Sequence, residues 1–133
     1  LLSLAMPTHT RESFAEFDQL AEAVEQAASP GEFLEADREF HRAVTAVPGT
    51  VRLSETVDHL WNLSHYYRRR LLSPEVSRRR EDIVAEHRMI LRALELGDVD
   101  SAEAIMAAHI RHTRRLVEAH PEMFARDRNG QQR

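Results

Sequence analysis

Four side chains that can bind a metal ion fall on the apolar faces of three predicted helices. Asp37 and His41 are four residues apart, so both side chains point the same way from one helix. His87 and His109 each lie among apolar residues on a separate helix. The three stripes are Leu34-Asp37-His41-Val44, Ile83-His87-Ile90-Leu94 and Ala102-Ile105-His109-Thr113-Leu116. In a bundle where these three faces meet, one carboxylate and three imidazoles converge.

The donor set indicates which chemistry such a cluster would perform. A lone histidine on an apolar face is usually a hydrogen-bonded core residue, but an unpaired buried carboxylate is costly. A divalent cation removes that cost, because it binds ionised Asp and neutral His. We therefore expect a metal site formed by Asp37, His41, His87 and His109. Nitrogen and oxygen donors without sulfur suit zinc first, and also nickel, manganese or iron(II).

A second stripe mixes polar and apolar residues and suits the wall of a ligand cavity. It comprises Val57, Trp61, His65, Arg68 and Leu72. Arg68 is spaced from Trp61 and Ser64 so that it lies on the same helix face, and we expect it to be the inward member of the run Arg68-Arg69-Arg70. An inward arginine beside a metal suits an anionic ligand. We expect Trp61, Ser64, His65 and Arg68 to bind a small carboxylate effector; an exposed helix edge is the alternative for His65.

Composition excludes several classes of function. The 133 residues contain 18 arginines but neither lysine nor cysteine, which excludes thiolate sites, Schiff-base chemistry and the phosphate-loop lysine. A net charge of -4 disfavours nucleic-acid binding by the chain as a whole, despite a second run at Arg78-Arg79-Arg80. No apolar run is long enough to span a membrane and no secretory signal is visible, so we expect a cytoplasmic protein.

Residues that favour helices dominate the sequence, and no segment alternates polar and apolar residues as a strand does. The sequence therefore predicts an all-α antiparallel bundle of about six helices. Proline, glycine and capping residues divide the chain. Four of the predicted long helices span about 11–28, 30–47, 50–72 and 98–120. Another ends at about residue 96, and it begins either at Ser73-Pro74 or after the second arginine run. We expect a sensor domain over residues 1–125 and a disordered tail over 126–133.

Several motifs together resemble one family. They are Asp37-Arg38-Glu39-Phe40-His41-Arg42-Ala43, Pro48-Gly49-Thr50 with Leu53, the segment Glu86 to Leu94, Gly97-Asp98, Ala102, Met106 and His109-Ile110. In this order they resemble the FadR-type C-terminal ligand-binding (FCD) domain of GntR-family bacterial transcriptional regulators. The resemblance extends over nearly the whole chain, and it is the combination of motifs that makes it specific.

The resemblance implies a bundle of six or seven helices and a buried metal held by one Asp and three His. Those positions here are Asp37, His41, His87 and His109, the same four that periodicity selects. It also implies small organic acids as effectors, homodimers, and operator DNA bound through an N-terminal winged helix-turn-helix domain. These 133 residues lack that domain and begin inside the first sensor helix, at Leu1–Ala5, so we expect an excised fragment or the ordered part of a longer protein.

Two other classes of function are compatible with this sequence. A metal with open coordination positions could activate water in an enzyme. However, Glu86 adjoins His87 and points about 100° away from it on a helix. The paired Glu-x-x-His motifs of di-iron bundles are also missing. The other alternative hypothesis is a helical dimerisation module that binds no ligand, and this hypothesis does not explain why Asp37 points inward. We therefore expect a sensor that is not an enzyme.

Overall fold

The computed structural model describes residues 1–71 and 78–121, and every regular element in them is a helix. A short helix α1 (Leu2–Ala5) is followed by a 3-10 turn over Met6–Thr8. Five long helices complete the described fold: α2 (Arg11–Gln26), α3 (Pro30–Thr45), α4 (Val51–Leu71), α5 (Arg78–Glu95) and α6 (Val99–Ala119). The all-α prediction is confirmed, while Ser73-Pro74 and the expected tail at 126–133 lie outside the described residues.

Local signals explain where the helices begin and end. The Thr10 and Ser13 side chains each bond the other's backbone N–H at the start of α2, which forms a capping box. Ser29 and Asp98 accept hydrogen bonds from backbone N–H groups in the first turns of α3 and α6. Gly97 follows α5 at φ +72°, a left-handed conformation that favours glycine.

Helices α2 and α5 pack antiparallel. Residues at the end of α2 meet the start of α5, where the Arg80 guanidinium donates to the carbonyl of Ala27. Further along, Arg88 bonds Glu25 and Asp18 of α2. Helix α3 packs between α2 and α4, and α6 contacts α5, α4 and α1.

The core lies where α2, α3, α5 and α6 meet. Its largest fully buried apolar side chains include Phe33, Phe40, Ile90, Leu94, Val24 and Val44. The same faces carry the polar residues selected from the sequence, so the apolar packing that fixes the helices also fixes those side chains. In the described ranges, no helix is both long and apolar enough to cross a bilayer.

Candidate metal centre and ligand cavity

The four predicted metal-binding side chains meet at one point inside the bundle. Asp37 and His41 come from α3, His87 from α5 and His109 from α6, and one ligand atom of each lies within 4.8 Å of the others. Their exposed fractions are 0%, 6%, 1% and 2%. Three separate helices therefore present a carboxylate and three imidazoles to one solvent-excluded volume.

Three of the four donor atoms, those of Asp37, His41 and His87, are spaced as ligands of a single cation are. Oδ1 of Asp37 lies 3.1 Å from Nε2 of His87 and 3.5 Å from Nε2 of His41. The two Nε2 atoms are 3.3 Å apart. Metal–ligand bonds of about 2.1 Å at tetrahedral or octahedral angles separate neighbouring donors by roughly 3.0–3.4 Å.

One oxygen in the cluster lacks a partner. Oδ1 of Asp37 is fully buried and accepts no hydrogen bond, because neither neighbouring imidazole approaches it in a bonding direction. Burying an acceptor without a partner is unfavourable, so native proteins rarely do so. This orphaned oxygen, together with the donor set, fits a divalent metal.

Burial keeps the three imidazoles neutral. It lowers the pKa of His41 to about 4, and it lowers the pKa of His109 to about 4 despite a hydrogen bond to Glu86. The pKa of His87 falls well below its ordinary value through burial and then the charges of its neighbours. Neutral imidazole nitrogen has the lone pair that a metal ligand needs.

Glu86 orients His109 from outside the cluster. Its Oε2 lies 2.6 Å from Nδ1 of His109, and its Oε1 lies 2.6 Å from Nδ1 of half-exposed His112. Burial raises the pKa of Glu86, but hydrogen bonds from both imidazoles and the charge of Arg79 outweigh burial and hold it at about 2. The carboxylate therefore accepts the Nδ1 proton of His109 and leaves Nε2 for a cation.

Arg79 completes this support. It is 3% exposed and its Nη1 lies 3.1 Å from Oε2 of Glu86. Its Nη2 donates to the carbonyl of His109 at 2.9 Å and to the Thr113 hydroxyl at 3.1 Å. The guanidinium thus neutralises Glu86 and fixes the backbone of α6 at His109.

Sequence reasoning missed Glu86 and Arg79 as supporting residues. Glu86 does point away from His87, as the helical angle predicts, but that direction takes it to His109 on the adjacent helix. Arg79 is a buried member of the second arginine run, Arg78-Arg79-Arg80, and consecutive arginines on a helix are usually solvated because they cannot share one face. One sequence signal could have identified Glu86 as a partly buried carboxylate. It lies one helical turn from both Ile83 and Ile90, at the border of the apolar stripe of α5.

Arg68 links the cluster to an adjoining cavity. Its guanidinium forms an ion pair with Oδ2 of Asp37 and stacks 3.9 Å from the ring centroid of Trp61. Its Nε is buried and has no hydrogen-bond partner. Burial and then the charge of Arg79 lower the pKa of Arg68 to about 10, so the group stays charged at neutral pH.

Two cavities of about 590 and about 330 Å³ open between α4 and α6 beside the cluster. His41, Trp61, Ser64, Arg68 and Ile110 line both of them. Both volumes are within the usual range of small-molecule sites. Three of the four residues expected to bind a ligand therefore face one shared space next to the cluster.

His65 is the exception among those four residues. It is exposed and lines neither cavity. At 100° per residue, it lies about 70° around α4 from the centre of the stripe formed by Trp61, Ser64 and Arg68. This exposed position favours the helix edge, the alternative interpretation of His65, and we therefore leave His65 out of the proposed ligand contacts.

The chain matches the family model of the FCD domain over residues 1–112. It therefore belongs to the FCD domain family, the regulatory effector-binding domain of GntR-type transcriptional regulators. No curated protein and no solved structure matches it significantly.

Proposed function

We propose that this chain is the metal-dependent effector-sensing and dimerisation domain of a GntR-family transcriptional regulator. The observation that carries the proposal is the buried group of Asp37, His41, His87 and His109 with its orphaned carboxylate oxygen. The match to the FCD family supports the regulatory class. Operator DNA would be bound through a separate N-terminal domain, in the cytoplasm.

In this proposal Asp37, His41, His87 and His109 hold a divalent metal, with zinc as the first candidate. When bound, the metal supplies a Lewis-acidic centre with coordination positions open to an anionic ligand. Glu86 keeps the His109 ring oriented, and Phe40 stacks on the His87 ring with centroids 4.1 Å apart. These contacts hold the rings in position before metal binding, which lowers the entropic cost of binding.

We further propose that a small carboxylate binds beside the cluster, in contact with Arg68, Trp61 and Ser64. Arg68 lines the cavity and stays charged at neutral pH, so its guanidinium favours an anion at this end. Donors from α3, α5 and α6 converge on the metal, while α4 carries the carboxylate contacts. Effector binding would therefore change how α4 packs against the other helices.

The geometry favours sensing over catalysis. A metal-dependent hydrolase needs a general base, and Glu86 is a carboxylate next to the cluster. His109, His112 and Arg79 already occupy the oxygens of Glu86. A base must be free to accept a proton from a substrate or a bound water. The strongly lowered pKa of Glu86 also disfavours proton transfer at neutral pH.

Metal analysis of the purified chain tests this function. We expect about one equivalent of a divalent metal in the unaltered protein, and loss of stoichiometric metal in His87→Ala and His109→Ala. His65→Ala is the matched control, because it removes an exposed imidazole away from the cluster and should retain the metal. Undiminished metal content in both cluster variants would refute the site.

A further inference from the structure

The larger cavity beside the cluster is unevenly lined. Most of its lining residues are apolar: Val57, Leu60 and Trp61 from α4, Met106, Ala107 and Ile110 from α6, and Leu1 and Leu2 at the start of the chain. Arg68 lies at one end of the cavity, where its guanidinium reaches the cluster through Asp37. A ligand that fills this space needs one anionic end and an apolar remainder.

The far end of the cavity disfavours a second negative charge. Glu103 lines the cavity, and its Oε1 accepts a hydrogen bond from the backbone N–H of Ser3. The N-terminal ammonium of Leu1, which also lines the cavity, lies 4.0 Å from the same oxygen of Glu103. A second carboxylate at this end would have to compete with Glu103 for that ammonium, and it would lose hydration against the apolar walls.

The smaller cavity offers a weak alternative for a second carboxylate. Arg114 lines it together with Arg68. However, Arg114 is largely exposed, with 67% of its side chain accessible, and it already pairs with Glu118 at 3.4 Å. Exposed ion pairs of this kind contribute little to binding. Arg68 is therefore the arginine that favours an anion most.

We infer that the effector is an amphipathic monocarboxylate, with its carboxylate at Arg68 and the cluster and an aliphatic or aromatic tail along α4 and α6. This inference rests on the proposed function, and it excludes di- and tricarboxylates and short hydroxy acids as the preferred class. The cavity of about 590 Å³ leaves ample room for a tail of several carbons.

Calorimetric titration of the zinc-loaded chain with acetate, butyrate, hexanoate and octanoate tests the tail. Each methylene buried against the wall should raise affinity about threefold to fourfold. Adipate is the matched dicarboxylate, since it is hexanoate with a second carboxylate at the tail end. Hexanoate should bind at least about tenfold more tightly than adipate.

A pair of exposed leucines on α4 supplies matched variants. Leu60 and Leu63 are 59% and 60% exposed, but of the two Leu60 alone lines the larger cavity. Leu60→Ser should lower the ratio of octanoate affinity to acetate affinity about fivefold or more. Leu63→Ser should leave that ratio unchanged.

The outcomes separate this inference from the proposed function. If the chain binds no metal, or no carboxylate, both the proposed function and this inference are wrong. If zinc and carboxylates bind but chain length has no effect, or adipate exceeds hexanoate, the inference alone is overturned. The inference is also overturned if Leu60→Ser and Leu63→Ser change the affinity ratio equally.

Discussion

At the scale of single residues, the centre depends on how polar groups are paired when water is excluded. Asp37 is fully buried with one oxygen on Arg68 and the other without a hydrogen-bond partner. Glu86 and Arg79 form a second set of charges that neutralise one another and hold His109. The first set can accept a cation, and the second keeps one of its ligands in position.

Replacing Glu86 tests this support directly. Glu86→Gln keeps the size of the side chain but removes the charge that accepts the Nδ1 proton of His109. We expect metal affinity to fall roughly 10–100-fold, the usual cost of losing a group that orients a ligand. Competition with a chromophoric chelator measures the affinity.

His112→Ala is the comparison for Glu86→Gln. It removes the half-exposed partner of the same carboxylate and leaves the Glu86–His109 bond in place. Its metal affinity should change by less than about threefold. Equal losses in the two variants would mean that the orientation of His109 is not what Glu86 contributes.

At the scale of elements, local sequence signals determined most of what could be predicted. Caps at Thr10, Ser29 and Asp98 and the stop at Gly97 place four helix boundaries within one or two residues. Periodicity also selected the four side chains that the structure brings together. It could not identify Glu86 and Arg79 as partners, because their bonds depend on the rotation of α5 against α6, which no single helix encodes.

Gly97 provides a test of these boundary signals. A Cβ at Gly97 would meet nothing within 4 Å, so Gly97→Ala adds only the strain of a left-handed alanine. We expect it to lower the free energy of unfolding by about 1 kcal/mol. Urea denaturation followed by circular dichroism measures the difference.

Gly31 in the first turn of α3 is the control for that substitution. It has ordinary helical backbone angles, and a Cβ there would make a van der Waals contact of 3.9 Å with the Ser29 hydroxyl. Gly31→Ala should leave stability unchanged or raise it by up to about 1 kcal/mol. A loss in Gly31→Ala as large as that in Gly97→Ala would contradict the explanation from backbone strain.

At the scale of the whole molecule, the bundle is held together by a core that has titratable groups at its centre. His41, His87 and His109 contact one another with ring centroids 5.0–5.2 Å apart, and their pKa values are lowered mainly by burial. The folded state therefore favours the neutral form of these groups. The stability of the entire domain is tied to proton concentration through this cluster.

The sign of the effect follows from the lowered pKa values. Below about pH 6.5 the unfolded chain binds protons at these imidazoles, whereas folded His41 and His109 resist protonation down to about pH 4. The free energy of unfolding should therefore fall as pH drops from about 6.5 to 4, by roughly 3 kcal/mol at most for each buried imidazole. Denaturation of chelator-treated protein at a series of pH values measures this, and a flat profile from pH 7 to 4.5 would contradict it.

The division of residues among the helices has an evolutionary consequence. The four clustered residues lie on α3, α5 and α6, while Trp61, Ser64 and Arg68 lie on α4. Under the proposed function, substitutions along α4 would alter which small molecule is recognised without changing the proposed metal ligands. Domains that descend from one ancestor could therefore come to recognise different small molecules through substitutions in α4, while all of them inherit the same Asp and His cluster.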